Sequence, residues 1–482
     1  MALKIFNTMS NQLEEFNSKK EVKMYVCGLT VYDHVHLGHA RTYLAFDIIR
    51  RYLQYKGYKV IYVQNITDVD DKIINRAREL GIHPLKLAEK YIEEGLRDLD
   101  RIGVARADIY PRVTENIPDI IKAIQLLIEK GFAYEVEGNV YFDVSKFEDY
   151  GKLSKLSLEE IKAGARVEVD EKKRHYADFA LWKRVENNFG FDSPWGRGRP
   201  GWHIECSVMA LKYLGSEIDI HGGAVDLIFP HHENEIAQSE ALLEKQFVRF
   251  WVHTGFLRVA GKKMSKSLGN FILLRDLLEQ YDAEVIRMFF ASTHYRSPID
   301  FDYSKLEQAK ASLEKIYRTL KRVISQAREK ELDESELELQ LQIKAAREEF
   351  LESMDNDFDS VKALATLFKL TGEVNKFLAR YGEISKKLAN EIISTYRELG
   401  GILNLFNRDI EREMIEKIEK EKLEEMLKEL VEILIEIRQE ARDKKDWRTA
   451  DKIRDRLRDI DIIIEDTPSG AKWYLKSKEG KI

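Results

Sequence analysis

The chain has 482 residues, which at roughly 150 residues per domain implies about three domains. Its residues are 44% hydrophobic and 10% aromatic, enough for a real core, so bulk disorder is excluded; the 34% that are charged exceed the roughly 25% of an average domain and point to salt-bridged helical surfaces or a heat-adapted source. The net charge of -6 excludes nucleic-acid binding by overall charge and leaves only local basic faces for it.

The N-terminal MALKIFNTMSNQLEEF holds a short apolar patch but no signal-peptide h-region. No segment reaches the roughly 18 apolar residues of a membrane span. A soluble, cytoplasmic protein without membrane contact is expected. Lys23 to Val26 reads as a short strand ending at Cys27-Gly28. Ala40 to Tyr55 is helical, with Leu44, Ala45, Ile48, Ile49, Tyr52 and Leu53 at a 3.6-residue period. Gly57 stops that helix. Tyr58 to Ile66 (YKVIYVQNI) reads as a buried strand and Asp70 to Leu80 as a second helix. This βαβ unit predicts a parallel sheet with ligands beyond its strand ends, and Cys27 lies at one such end.

The pattern changes over residues 118–200. An amphipathic helix (Ile120 to Lys130) precedes a hairpin-like piece from Tyr134 to Phe142 and the loop stretch SPWGRGRPG at 193–201. We read this as an insertion between two halves of the sheet domain. Strand-like runs return at Ile218 to Ile220 and Phe247 to His253, and a helix is expected to start near Phe271. From about Lys305 nearly everything has helical periodicity, with no Pro until Pro468. Residues 327–356 read as solvated helices. Residues 438–482 turn basic, with 13 Lys/Arg against 10 Asp/Glu. There is no internal repeat and no long heptad seam, so a monomer is expected.

Two segments carry nucleotide chemistry. His36-Leu37-Gly38-His39 stands at a strand-to-helix junction. Its glycine permits close backbone approach, helix N–H groups attract phosphate, and two imidazoles can neutralise charge building in a transition state. Lys263-Met264-Ser265-Lys266-Ser267, within GKKMSKSLGN, is a cationic loop able to close on a triphosphate. Two cysteines, Cys27 and Cys206, exclude a disulfide framework. They are inert core residues, ligands or nucleophiles. His231 and Glu235 share one face of a helical turn, but spacing alone leaves this foursome a weak metal signal.

HLGH and KMSKS together resemble the HIGH and KMSKS signatures of class I aminoacyl-tRNA synthetases. The contexts YVCGLTVYDHVHLGHAR and GGAVDLIFPHHENEIAQS, with the ending KKDWRTADKIRDRLRDIDIIIEDTPSGAKW, are similar to the cysteinyl-tRNA synthetase family. The resemblance implies an α/β fold: a Rossmann-like parallel-sheet catalytic domain with an insertion, then an α-helical bundle and a small C-terminal anticodon-binding domain. The implied boundaries are 1–117 and 201–254 for the two catalytic halves and 118–200 for an inserted acceptor-end domain. Residues 255–305 would be the KMSKS loop and stem-contact region, 306–405 the bundle and 406–482 the anticodon-binding domain. It also implies an AMP-forming ligase that activates L-cysteine with ATP and transfers it to the 3′-terminal adenosine of the tRNA for cysteine.

The same resemblance implies one Zn²⁺ per chain on Cys27, Cys206, His231 and Glu235, a donor set that suits this ion. A metal-held substrate thiolate would separate cysteine from serine, which pocket size alone does poorly. Mg²⁺ would accompany ATP. His36, Gly38, His39, Lys263 and Lys266 would carry catalysis. Gly222, Gly223 and Asp226 would join His36, His39 and Lys266 in holding ATP. Thr67, Trp202 and His203 would line the substrate pocket, with Asp68 nearby. Arg442, Trp447, Asp451 and Asp466 would meet the anticodon, and Arg197 and Arg199 the acceptor end. The bland alternatives are helix-core packing for Trp447 and a salt bridge for Arg442. Two other readings stay open: a ligase joining cysteine to an amino-sugar, and a non-catalytic RNA-binding paralogue. KIINR (Lys72 to Arg76) also matches a family segment linked to persulfide formation, though a surface helix explains it more simply.

Overall fold

The computed structural model describes residues 2–164, 172–186, 189–259, 261–264, 270–467 and 470–476. The chain divides into two compact units, Met1–Asn407 and Arg408–Ile482. The first opens with a small hairpin, β1 (Lys4–Asn7) and β2 (Gln12–Glu15). There follow β3 (Glu21–Thr30), α1 (Leu37–Tyr55), β4 (Lys59–Thr67), α2 (Asp71–Leu80) and α3 (Pro84–Arg101). Next come α4 (Ile117–Glu129), β5 (Ala133–Val136), β6 (Asn139–Phe142), α5 (Leu158–Gly164), β7 (Phe179–Arg184) and β8 (Gly198–Pro200). Then come α6 (Ile204–Leu214), β9 (Ile218–Ala224), α7 (Glu233–Leu243) and β10 (Val248–Thr254).

The expected parallel sheet is present, in the order β10-β9-β3-β4. Strand β3 is inside the sheet and β4 at its end, and both are buried on both faces over much of their length, which is why they read as near-continuous apolar runs. It pairs with β9 only over Met24–Val26, and its register with β4 shifts between Val26 and Leu29. The sheet therefore opens at Cys27-Gly28, where the first half (β3, β4) meets the second (β9, β10). That is the topological switch point at which α/β sheets hold ligands. Gly28 is obligatory there, because a Cβ would overlap the Asn65 carbonyl.

The insertion folds as an antiparallel sheet, β5-β6-β7-β8. Its Phe142, Leu181 and Trp182 share one buried cluster with Tyr25, Met209 and Trp251 of the parallel-sheet layer. It is therefore packed onto the sheet domain rather than tethered to it. Beyond β10 lie β11 (Leu257–Val259), β12 (Lys262–Lys263), α8 (Leu274–Leu278), α9 (Ala283–Ala291) and β13 (Ile299–Phe301). Helix α8 begins at Leu274, later than Phe271, because Leu37 N donates to Ile272 O and Leu274 N to Val35 O. The segment after the KMSKS loop is thus bridged, in extended form, to the HLGH turn.

The remainder of the unit is α10 (Tyr303–Gln326), β14 (Ala327–Arg328), α11 (Glu334–Asp355), α12 (Ser360–Tyr381), β15 (Ile384–Ser385) and α13 (Lys386–Leu403). Helix α1 is tied to this bundle: Tyr52 Oη donates to Asp355 at 2.7 Å and Tyr55 Oη to Glu398 at 2.7 Å. Arg287 donates to Asp47 at 2.6 Å, and both are buried.

The second unit consists of α14 (Ile410–Asp443), α15 (Trp447–Arg458) and an antiparallel hairpin, β16 (Ile462–Thr467) with β17 (Gly470–Leu475). Val431, Leu457 and Ile462 centre its core. Helical periodicity did not announce the hairpin. Its β-branched run Ile462-Ile463-Ile464 favours a strand.

Candidate functional site

A cleft of about 360 Å³ opens at the switch point. His36, Gly38, His39, Thr67, Trp202 and Asp226 line it, and so do Cys27, Cys206 and His231. The HLGH turn caps α1 in an unusual way: His36 Nδ1 accepts from Gly38 N at 3.1 Å and His39 N at 3.3 Å. Two helix N–H groups are thereby already satisfied, which modifies the expectation that they would face a phosphate. The neutral His36 ring carries its proton on Nε2 as a consequence. His39 stacks on His36 with centroids 3.6 Å apart. Burial, with His36 and Lys72 beside it, holds His39 well below the usual imidazole range. Met264 lines the same cleft, and a Cβ on Gly38 would meet its Cε at 3.5 Å. The two signature segments therefore meet at Gly38. The backbone of Lys263 pairs with Arg258, while Lys266 lies outside the described residues.

At the cleft floor the donor atoms of Cys27, Cys206, His231 and Glu235 lie within 4.8 Å of one another, all four residues buried. His231 Nε2 is 3.1 Å from Glu235 Oε1 across one helical turn. Among the described residues, Glu235 Oε2 makes no well-formed hydrogen bond, His221 Nε2 lying 3.4 Å away. The electrostatics fit a cation. Burial opposes charge on His231, yet Cys206 and Glu235 raise it to about 10. Burial pushes Glu235 up, but His221 and His231 bring it down to about 2. Burial also pushes Cys206 up, and the Cys27 hydrogen bond and His231 lower it to about 6. Burial lifts the Cys27 thiol well above its usual range, with Cys206 and Glu235 adding to it. The cluster thus favours positive charge between its carboxylate and thiol groups, and its donors suit a soft-to-borderline ion.

Sequence reasoning missed a second foursome, Cys27, His221, His232 and Glu235, also mutually within 4.8 Å. It shares two members with the first but sits behind it: His221 and His232 do not line the cleft, whereas Cys206 and His231 do. The available signal was an imidazole inside a buried strand, His221 in β9, and a second histidine directly after His231, His232.

The other expected residues divide. Thr67 faces the cleft and donates to the buried Glu205 at 2.9 Å. Trp202 is half-exposed and packs against His231 with ring centroids 4.4 Å apart and planes tilted by 34°. His203 instead places Nδ1 3.0 Å from His231 Nδ1 and lines a neighbouring groove. Gly222 and Gly223 are buried close-packing positions, where a Cβ would strike Phe46 and Leu227 respectively. Asp68 accepts from Thr114 N at 3.0 Å. Arg199 is buried against Asp71, and Arg197 is exposed. In the second unit Arg442 pairs with Asp466 at 2.8 Å, and Arg438 grips the same carboxylate at 2.7 and 2.9 Å. Trp447 is 58% exposed, so it is not a helix-core residue. Asp451 pairs with Arg454 at 3.0 Å.

Family-level comparison matches residues 13–311 to the class I (C) tRNA synthetase catalytic domain, 349–407 to the DALR domain and 424–473 to the cysteinyl-tRNA ligase anticodon binding domain. A cysteine–tRNA ligase of Carboxydothermus hydrogenoformans is 50% identical, over 98% of this chain and 99% of its own. One from Thermococcus gammatolerans is 49% identical over the same shares. Among solved structures, Mycobacterium tuberculosis methionyl-tRNA synthetase with methionyl-adenylate is similar in fold. Its TM-score is 0.63 at 15% identity, covering 80% of this chain and 90% of that one.

Proposed function

Because the chain belongs to the cysteine–tRNA ligase family of class I aminoacyl-tRNA synthetases, and so is an enzyme that charges tRNA with cysteine, we infer how its cleft divides the work. The observation that carries the inference is that Cys27, Cys206 and His231 line the same cleft as His36 and His39. We assign Zn²⁺, one per chain, to Cys27, Cys206, His231 and Glu235. Bound there, zinc supplies a soft Lewis-acid partner that favours a substrate thiolate over serine's hydroxyl.

Trp202, packed against His231, and Thr67 close the pocket around the amino acid. The Thr67 hydroxyl donates to Glu205 and accepts from Asn65 Nδ2 at 3.3 Å, which leaves one oxygen lone pair for the substrate's ammonium. ATP enters with Mg²⁺, and Asp226 lies on its ribose side. Gly222 and Gly223 act by permitting the strand's close approach. The substrate carboxylate attacks the α-phosphate and pyrophosphate leaves. His36 faces the phosphate region, with His39 stacked on it. Lys263 and Lys266 act on the pyrophosphate side. The chemistry then rests on positioning and fixed electrostatics, with no protein nucleophile.

The 118–200 insertion receives the acceptor end, through the exposed Arg197 rather than the buried Arg199. Trp447 offers a stacking face to an anticodon base, while Arg442, Asp451 and Asp466 exchange an internal partner for a base edge. We place the enzyme in the cytoplasm as a monomer. Among the described residues no helix is long and apolar enough to cross a membrane. The test is cysteine-dependent ATP–pyrophosphate exchange and tRNA charging, with serine as competitor, run with and without a chelator. Chelator-insensitive selection of cysteine refutes the zinc assignment. Exchange without tRNA charging refutes the RNA half.

A further inference from the structure

Three polar groups stand in line behind the proposed metal ligands. His232 Nε2 is 3.2 Å from Cys27 Sγ. His232 Nδ1 is 2.8 Å from His253 Nε2, and His253 Nδ1 is 2.8 Å from Thr8 Oγ1. His232 and His253 are buried, and neither they nor Thr8 line the cleft. The line is held from both ends. Thr8 N donates to Trp251 O at 2.9 Å, and Asn7 Nδ2 donates to Arg249 O at 2.9 Å. The N-terminal turn is therefore stitched to β10, the strand that carries His253.

Hydrogen-bond polarity gives this line a single direction. A neutral imidazole has one N–H and one lone pair. Both rings are shut away from water, His232 at 0% and His253 at 5% exposure, and each faces another polar ring or a hydroxyl, so burial favours the neutral form of both. A metal-bound thiolate only accepts. Facing one, His232 must carry its proton on Nε2 and accept at Nδ1. His253 must then donate from Nε2 and accept at Nδ1. The Thr8 hydroxyl is left as the donor that starts the chain.

We propose that Thr8 is a positioning residue of the metal centre, its hydroxyl fixing through His253 and His232 the shorter of the two imidazole contacts to the Cys27 sulfur, His221 Nε2 lying at 3.7 Å. A hydrogen bond from His232 anchors the sulfur and withdraws some of its charge. The metal is then left a stronger acceptor for the substrate's thiolate. The inference rests on the zinc reading above but concerns a residue remote from the cleft.

The test uses the full-length chain with Thr8→Val, which keeps the shape and removes the hydroxyl, and Thr8→Ser, which keeps the hydroxyl. Zinc affinity is read by chelator competition, and the thiolate-to-metal charge-transfer band is read after cobalt substitution. Thr8→Val is expected to bind zinc about tenfold more weakly and to shift the band to longer wavelength. Thr8→Ser is expected to match the parent in both. An unchanged band and affinity in Thr8→Val overturn the proposal. So does equal perturbation by Thr8→Ser, which would point to packing of the β-methyl group. If Thr8→Val does not fold, Thr8→Ala is read in the same way. A parent protein without zinc refutes the metal reading, whatever the variants do.

Discussion

Cys206→Ser puts the metal assignment at risk most directly. The side chain is buried, 2% exposed, and the change from sulfur to oxygen is small. The new hydroxyl has Cys27 and His231 as neighbours, so the fold should survive. What is lost is the ligand already drawn toward the thiolate form at about 6. Structural zinc sites contribute about 10–16 kcal/mol over four ligands, so one thiolate is worth about 3 kcal/mol. That corresponds to roughly two orders of magnitude in affinity. At a buffered free-zinc concentration that saturates the parent, the variant should be mostly metal-free by elemental analysis. Cysteine-dependent pyrophosphate exchange should fall in parallel. Any residual exchange should prefer cysteine over serine only by the 1–3 kcal/mol that size provides. A variant that keeps its zinc at that concentration refutes the assignment. One that loses zinc yet keeps full cysteine selectivity refutes the proposed role of the metal.

Three further outcomes are expected. Arg287→Ala strands the buried Asp47 carboxylate, with Arg51 as its remaining cation. It should cost about 3 kcal/mol, seen as a lower denaturant midpoint of the full chain. Trp447→Ala should leave stability and pyrophosphate exchange unchanged because the indole is exposed. Loss of a stacked base, about 1–3 kcal/mol, should raise the KM for tRNA about tenfold or more. Asp466, held at about 2 chiefly by its hydrogen bonds to Arg438, lies below its unfolded-state value. Its contribution is therefore present above about pH 4 and lost as pH falls through about 2. Hydrogen exchange in α14 and β16 of the full chain should accelerate over that window, and Asp466→Asn should abolish the dependence. The carboxylate is nearly half exposed, so the effect will be small.

The amino-acid sequence alone determined whatever is written in neighbouring residues. The βαβ start, the hairpin of the insertion and the bundle helices follow from periods of two and 3.6. HLGH and KMSKS are contiguous, and His231 with Glu235 is a helical i,i+4 pair, so each was legible as a string. Tertiary structure alone decided what depends on which strands become neighbours. Cys27 and Cys206 converge because β3 is central in the sheet and breaks its register at Gly28. His231 turns into the cleft while the adjacent His232 turns behind Cys27, a choice of phase that the dipeptide cannot express. Arg442 became a partner of Asp466 only once β16 folded back along α14. A buried polar residue carries no periodicity of its own; its meaning is set by the atom that long-range packing places 3 Å away. Thr8, 245 residues before His253, acquires such a meaning only in the folded protein.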